Sequence, residues 1–147
     1  MRQHVLDANA FYRFLTNGDG AEIVADIFKQ AKAARPMEAT VMMSVVSWGE
    51  VYYTVVRHIG MAKAENLLED ARQRTGLHLV RVDKEDAVKA GRLKAQYNIP
   101  YADAFTAALT GSHHVVVTAD EEHFSLIPKI RMVKLPRHQH GKRAIGR

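Results

Sequence analysis

The sequence has 147 residues, 47% hydrophobic and 25% charged, with a formal net charge of +5 at pH 7. This length and composition are typical of one globular domain and exclude a collagen-like or low-complexity chain. The absence of cysteine excludes disulfides, cysteine nucleophiles and cysteine-ligated metal sites.

No stretch approaches the roughly 20 apolar residues that span a bilayer. Asp7 interrupts the N-terminal segment before any apolar region typical of a signal peptide. We therefore expect a soluble, cytoplasmic protein with no membrane association.

The N-terminal part of the chain alternates apolar runs with helical patterns. Its predicted elements are a strand over 4–6, a helix from Asp7 to the break at 17–20, a helix over 21–34, a strand over 40–46 and a helix from 47 to about 60. Ser47 and Glu50 have the spacing of a capping box, in which a serine caps the helix and a glutamate three residues later closes the box. We therefore expect Glu50 in the first turn of that helix.

The C-terminal part continues the same alternation. Its predicted elements are a helix over 62–74, a strand over 77–82, a helix from Asp83 to the stop at 98–100, a helix over 101–110, a strand over 115–118 and a weaker strand over 130–135. Asp83 suits a helix cap, and Pro100 suits the first turn of the helix after it.

This alternation predicts the fold class. Continuous valine-rich runs are typical of strands that are buried on both faces, as in a parallel sheet with helices on both sides. We predict one α/β domain over residues 1–136, followed by a basic C-terminal tail over residues 137–147.

Basic residues are concentrated near the C-terminus. Residues 123–147 hold seven of the 21 basic residues and no acid, which leaves 14 basic residues against all 16 acidic ones in the rest of the chain. Such a segment predicts a polyanionic partner, because contacts with phosphates release counterions. A solvated terminus without a ligand is the alternative. The candidate RNA contacts in the tail are Arg137, Lys142, Arg143 and Arg147.

Four acids follow predicted strands or lie in first turns of predicted helices: Asp7, Glu50, Asp103 and Asp120. Each could serve only as a helix cap, a dipole partner or a turn residue. However, the carboxyl ends of parallel strands meet at one edge of a sheet, where ligands bind. Clustered carboxylates suit a hard cation such as Mg²⁺ or Mn²⁺, and such a site favours hydrolysis of phosphodiesters.

Four segments occur in a familiar order: Val5–Asn9, Ser47–Val51, Tyr101–Phe105 and Val117–Asp120. They resemble the signature segments of PIN-domain ribonucleases, in particular the toxin component of VapBC-type toxin–antitoxin pairs. The resemblance runs from about residue 3 to residue 135.

The resemblance implies a three-layer α/β/α sandwich with a central parallel sheet of about five strands. It also implies a metal-dependent endoribonuclease in which one or two Mg²⁺ or Mn²⁺ ions and a water act on RNA. The implied metal-binding and catalytic residues are Asp7, Glu50, Asp103 and Asp120. Asn9 stands where the family often has a small supporting polar residue, and Thr118 where a hydroxyl orients the neighbouring acid. The implied partners are a small antitoxin and a second copy of the chain.

One segment departs from the family pattern. The family often has an aromatic residue three positions after the fourth acid, whereas Phe124 stands four positions after Asp120. The turn is then longer, or Glu121 shares the metal-binding role.

Two other functions stay open. One is a non-catalytic PIN-like domain that binds RNA or protein. The other is a receiver-like domain phosphorylated on aspartate, which normally has paired acids after its first strand. Ala8 follows Asp7 here, so the receiver-like alternative ranks last.

Overall fold

Five short strands of this chain form one parallel sheet. The computed structural model describes residues 2–35 and 38–137. The strands are β1 (Arg2–Leu6), β2 (Ala39–Ser44), β3 (His78–Val80), β4 (His114–Thr118) and β5 (Met132–Lys134). The helices are α1 (Ala8–Thr16), α2 (Ala21–Ala33), α3 (Val45–Ile59), α4 (Met61–Thr75), α5 (Lys84–Tyr97), α6 (Tyr101–Leu109) and α7 (Glu121–Phe124).

The strand order is β3-β2-β1-β4-β5, and every pairing is parallel. Leu6 of β1 lies beside Val117 of β4, so these two central strands end level with each other. The order reverses between β1 and β4, which creates a crevice at their carboxyl ends. A receiver-like domain has the order 2-1-3-4-5, so that alternative is wrong.

Helices cover both faces of the sheet, which confirms the predicted three-layer α/β/α sandwich. On one face, α1 to α4 bury a cluster that includes Leu6, Met43 and Val117. On the other face, α5 and α6 bury a second cluster around Ile99 and Phe105. Neighbouring residues of one strand point to opposite faces, and Val116 accordingly packs on the opposite side to Val117, against α6 and α7.

Helix α3 begins earlier than the sequence pattern predicts. Strand β2 ends at Ser44, whose hydroxyl accepts a hydrogen bond from the amide of Val46 at 3.1 Å and caps α3. The predicted capping box at Ser47 is therefore wrong, and Glu50 lies in the second turn rather than the first. The β-branched pair Val45–Val46 favoured a strand, but the cap at Ser44 and the packing of α3 override that local preference.

The segment after β4 contains a helix that the sequence did not reveal. Residues Glu121–Phe124 form the single turn of α7, with the side chain of Phe124 fully buried against Ala107 and Val116. The four-residue spacing from Asp120 to Phe124 therefore makes a helical turn. The strands β3 and β5 are shorter than predicted.

The described chain ends near this helix. The guanidinium of Arg137 lies 3.7 Å from the carboxylate of Glu122. The other candidate RNA contacts, Lys142, Arg143 and Arg147, lie outside the described residues. Within residues 2–35 and 38–137, no helix is both long and apolar enough to cross a membrane.

Candidate active site

A cleft of about 280 Å³ opens at the carboxyl edge of the sheet, where the strand order reverses. All four acids predicted from the sequence line it, together with Asn9 and His123. The acids come from four separate parts of the chain: the end of β1, helix α3, helix α6 and the segment after β4. The fold therefore brings together Asp7, Glu50, Asp103 and Asp120.

Asp7 lies at the floor of the cleft and is only 3% exposed. It caps α1: its Oδ1 accepts a hydrogen bond from the amide of Ala10 at 2.8 Å. Its Oδ2 accepts a hydrogen bond from the Thr118 hydroxyl at 2.5 Å. Burial nevertheless raises the pKa of Asp7 from 3.8 to about 7, with smaller contributions from the charges of Asp103 and Asp120.

Thr118 connects two of the acids. Its hydroxyl donates to Asp7 and accepts a hydrogen bond from the backbone amide of Asp120 at 2.8 Å. The side chain is fully buried at the end of β4. Thr118 therefore fixes the carboxylate of Asp7 and the backbone at Asp120 relative to each other.

A buried contact between α3 and α6 positions the next two acids. The hydroxyls of Ser47 and Thr106 lie 3.3 Å apart. Glu50 lies one turn after Ser47, and Asp103 lies one turn before Thr106, so this contact sets the distance between the two helices beneath the cleft. Burial, followed by the charge of Asp103, raises the pKa of Glu50.

Asp103, Asp120 and His123 form a close group in the cleft. One ligand atom from each lies within 4.8 Å of the others. The Nδ1 atom of His123 lies 2.6 Å from the Oδ2 atom of Asp103. Burial raises the pKa of Asp103, while the contact with His123 opposes this effect.

Sequence reasoning missed His123 as a member of the site. One feature of the sequence could have indicated it: His123 lies three residues after Asp120, and residues at that spacing lie on the same face of a helix. Because the sequence did not predict α7, this spacing could not place His123 beside Asp120.

Two further candidates have different surroundings: Asn9, which the resemblance implied as supporting, and Glu121, the alternative metal ligand in the segment that departs from the family pattern. Asn9 lines the cleft, and its Oδ1 is buried with no hydrogen-bond partner among the described residues. Glu121 points elsewhere: its carboxylate lies 3.0 Å from the ammonium of Lys134, and it is not part of the cleft lining.

These donors fit a divalent cation. Carboxylate oxygens are the ligands that Mg²⁺ and Mn²⁺ prefer, and imidazole nitrogen is accepted by transition metals. The unpartnered Oδ1 of Asn9 is a further oxygen for the ion or one of its waters. A cation would also offset the repulsion among the four carboxylates.

The raised pKa of Asp7 predicts how stability depends on pH in the absence of metal. The unfolded chain loses this proton near pH 3.8 and the folded chain near pH 7, so the free energy of unfolding falls as pH rises between these values. One pKa unit corresponds to about 1.4 kcal/mol, so the loss approaches about 4 kcal/mol above pH 7.

We therefore expect Asp7→Asn to stabilise the protein in EDTA at pH 8, by about 1–3 kcal/mol. The measurement is urea unfolding of both proteins at pH 5 and pH 8. If the free energy of unfolding depends on pH equally in wild type and variant, the loss of stability is not due to Asp7.

Comparison with known proteins supports the family resemblance. The profile of the PIN domain family matches residues 4–130. None of the curated proteins matches the chain.

Solved structures of similar fold come from VapBC systems. DNA-bound VapBC from Salmonella typhimurium is 22% identical, with a TM-score of 0.68, and the match covers 91% of this chain and 98% of that one. VapBC2 from Rickettsia felis, bound to a promoter DNA fragment, is 16% identical with a TM-score of 0.67. The match covers 90% of this chain and 98% of that one.

A third similar structure is VapC20 from Mycobacterium tuberculosis, described as a toxin that cleaves the sarcin-ricin loop. It is 18% identical with a TM-score of 0.61, over 87% of this chain and 98% of that one. The three likenesses show a shared fold. With the profile match over residues 4–130, they lead to one conclusion: this chain belongs to the PIN domain family.

Proposed function

We propose that this protein is a metal-dependent endoribonuclease that hydrolyses RNA phosphodiester bonds, and that it is the toxin of a toxin–antitoxin pair. The observation that carries the proposal is the cleft lined by Asp7, Glu50, Asp103 and Asp120. Membership of the PIN family supports the nuclease activity. The likeness to VapC20, described as a toxin that cleaves the sarcin-ricin loop, supports the toxin role.

The residues of the cleft would have different roles. Asp7 and Asp103 would hold Mg²⁺ or Mn²⁺, Glu50 and Asp120 would complete the ligand set, and Thr118 would keep Asp7 in place. When bound, the cation supplies activation of water and neutralises charge on the phosphodiester. In the same proposal Asn9 supports the site, and Glu121 contributes through α7, where its ion pair with Lys134 helps to hold the helix.

We also propose a cognate antitoxin as a partner, which the similar complexes suggest. We further propose a second copy of this chain as a partner, as the family resemblance implies, and a location in the cytoplasm. The similar structures from Salmonella typhimurium and Rickettsia felis are VapBC assemblies. Light scattering of the purified protein tests the homodimer, and a monomeric mass would contradict it.

The test of the nuclease is cleavage of total cellular RNA with Mg²⁺, with Mn²⁺ and with EDTA. We expect discrete fragments in the metal arms and none in EDTA. Fragments that persist in EDTA would contradict the proposed mechanism. If no arm gives fragments while the protein still binds Mn²⁺, the alternative of a non-catalytic PIN-like binding domain is favoured.

The basic tail is proposed to hold RNA beside the cleft. In support, Lys134 lies level with Thr118 at the end of the sheet, and Arg137 lies beside Glu122 of α7. The described chain therefore ends at the edge of the sheet that carries the cleft.

We expect deletion of residues 137–147, which carry four basic side chains, to lower the salt dependence of RNA binding. Each contact with a single-stranded phosphate contributes about 0.7 to the slope of log affinity against log salt, so the slope should fall by up to about 3. Fluorescence anisotropy with a labelled RNA in EDTA measures it. An unchanged slope would show that the tail does not contact phosphates.

A further inference from the structure

Helix α7 presents one side chain to the cleft. Phe124 is buried in the core, Glu121 pairs with Lys134, and Glu122 pairs with Arg137. Of the four residues of the helix, His123 is the one that lines the cleft. Its imidazole is 32% exposed and lies against Asp103, whose side chain is 14% exposed.

We propose that His123 is a nitrogen ligand of the divalent cation and that it makes the site select Mn²⁺ over Mg²⁺. This inference rests on the proposed function, since it assigns a ligand to the same metal site. Among the four carboxylates of that site, Asp103 and Asp120 are the ones grouped with His123 around the ion.

The geometry of the three side chains supports direct binding. Their ligand atoms lie within 4.8 Å of one another, and two ligands on opposite sides of one ion, each about 2.1 Å from it, lie about 4.2 Å apart. A small rotation of these side chains brings all three into range. The anchor at Phe124 keeps the imidazole in place, so little conformational entropy is lost when it binds the ion.

The nitrogen donor is what makes the site selective. Mg²⁺ prefers oxygen ligands in near-ideal octahedral geometry and is bound mainly through carboxylates and water. Imidazole suits transition metals, for which affinity is set by ligand type and geometry. A site built from carboxylates alone would discriminate less between Mg²⁺ and Mn²⁺.

Pulsed electron paramagnetic resonance of Mn²⁺ bound to the full-length protein tests the ligand directly. Nitrogen coupled to the bound Mn²⁺ is expected in the wild type and in His113→Gln, a matched control in which an exposed histidine before β4 is changed. The coupling should disappear in His123→Gln. Titration calorimetry at one fixed pH should show that this variant binds Mn²⁺ at least about 10-fold more weakly, since changes to residues that only support a ligand already cost that much, with a smaller loss for Mg²⁺.

The outcomes separate this inference from the proposed function. Mn²⁺ that binds the wild type without nitrogen coupling, or coupling that survives in His123→Gln, would overturn the inference and leave the carboxylate metal site intact. A wild type that binds neither ion would overturn both. An equal loss of Mn²⁺ and Mg²⁺ affinity in His123→Gln would overturn the claim of selectivity.

Discussion

Replacing Asp7 by asparagine should lower RNA cleavage by at least about 100-fold. Changes to residues that only support a metal ligand already cost about 10–100-fold, and Asp7 is proposed as a ligand itself. Asparagine keeps an oxygen that can accept the hydrogen bond from Ala10, so the cap of α1 is retained. It removes the negative charge at the floor of the cleft.

The measurement is initial cleavage rate on total RNA or on a substrate identified from it, with circular dichroism to confirm the fold. Mg²⁺ or Mn²⁺ should raise the melting temperature of the wild type, because a ligand that binds only the folded state stabilises it. Asp7→Asn should show a much smaller rise.

Asp26→Asn, at an exposed position of α2, is the matched control and should keep full activity. Retained metal-dependent cleavage in Asp7→Asn would refute the proposed site.

Truncating Phe124 to alanine is the second change with a large expected effect. Phe124 is fully buried, and removal of such an aromatic side chain costs about 3–5 kcal/mol. In a domain of this size we expect the melting temperature to fall by about 10 °C. Cleavage should also fall below the wild-type rate at temperatures where the variant is still folded, because α7 loses the anchor that positions His123 and Asp120.

Leu126→Ala is the control for Phe124→Ala. Leu126 lies two residues later in the same segment but is 53% exposed, so its truncation should change the free energy of unfolding by less than about 0.5 kcal/mol. Thermal unfolding followed by circular dichroism compares the two variants. If the free energy of unfolding falls no further in Phe124→Ala than in Leu126→Ala, Phe124 does not anchor α7.

Most of the fold could be predicted because its signals are local and periodic. The strands β1 and β4 follow from apolar runs that end shortly before Asp7 and Asp120, and the start of α6 follows from Pro100. The alternation of strands and helices then limits the architecture to a parallel sheet with covered faces. The position of the four acids follows from that architecture, because each stands at the end of a strand or near the start of a helix.

The errors have physical causes that strand propensity and helical periodicity do not capture. Val45 and Val46 favour a strand by propensity, yet they begin α3, because Ser44 caps the helix and β2 has come to its end. Glu50 therefore reaches the cleft from the second turn of α3. The helix α7 is one turn long, too short for a periodic signal, and it forms because Phe124 fills a pocket between α6 and β4. The role of His123 could not be predicted without it.

The strand order has a consequence for how the protein is made. Asp7 and Glu50 lie in the first half of the chain, whereas Asp103 and Asp120 lie in the second half, and Asp7 meets Thr118 only after β4 has paired with β1. A nascent chain that has emerged only as far as α5 carries half of the carboxylates and no finished cleft. The ribosome that synthesises this protein is therefore not exposed to a complete set of these carboxylates until Asp120 has been translated and β4 has docked on β1.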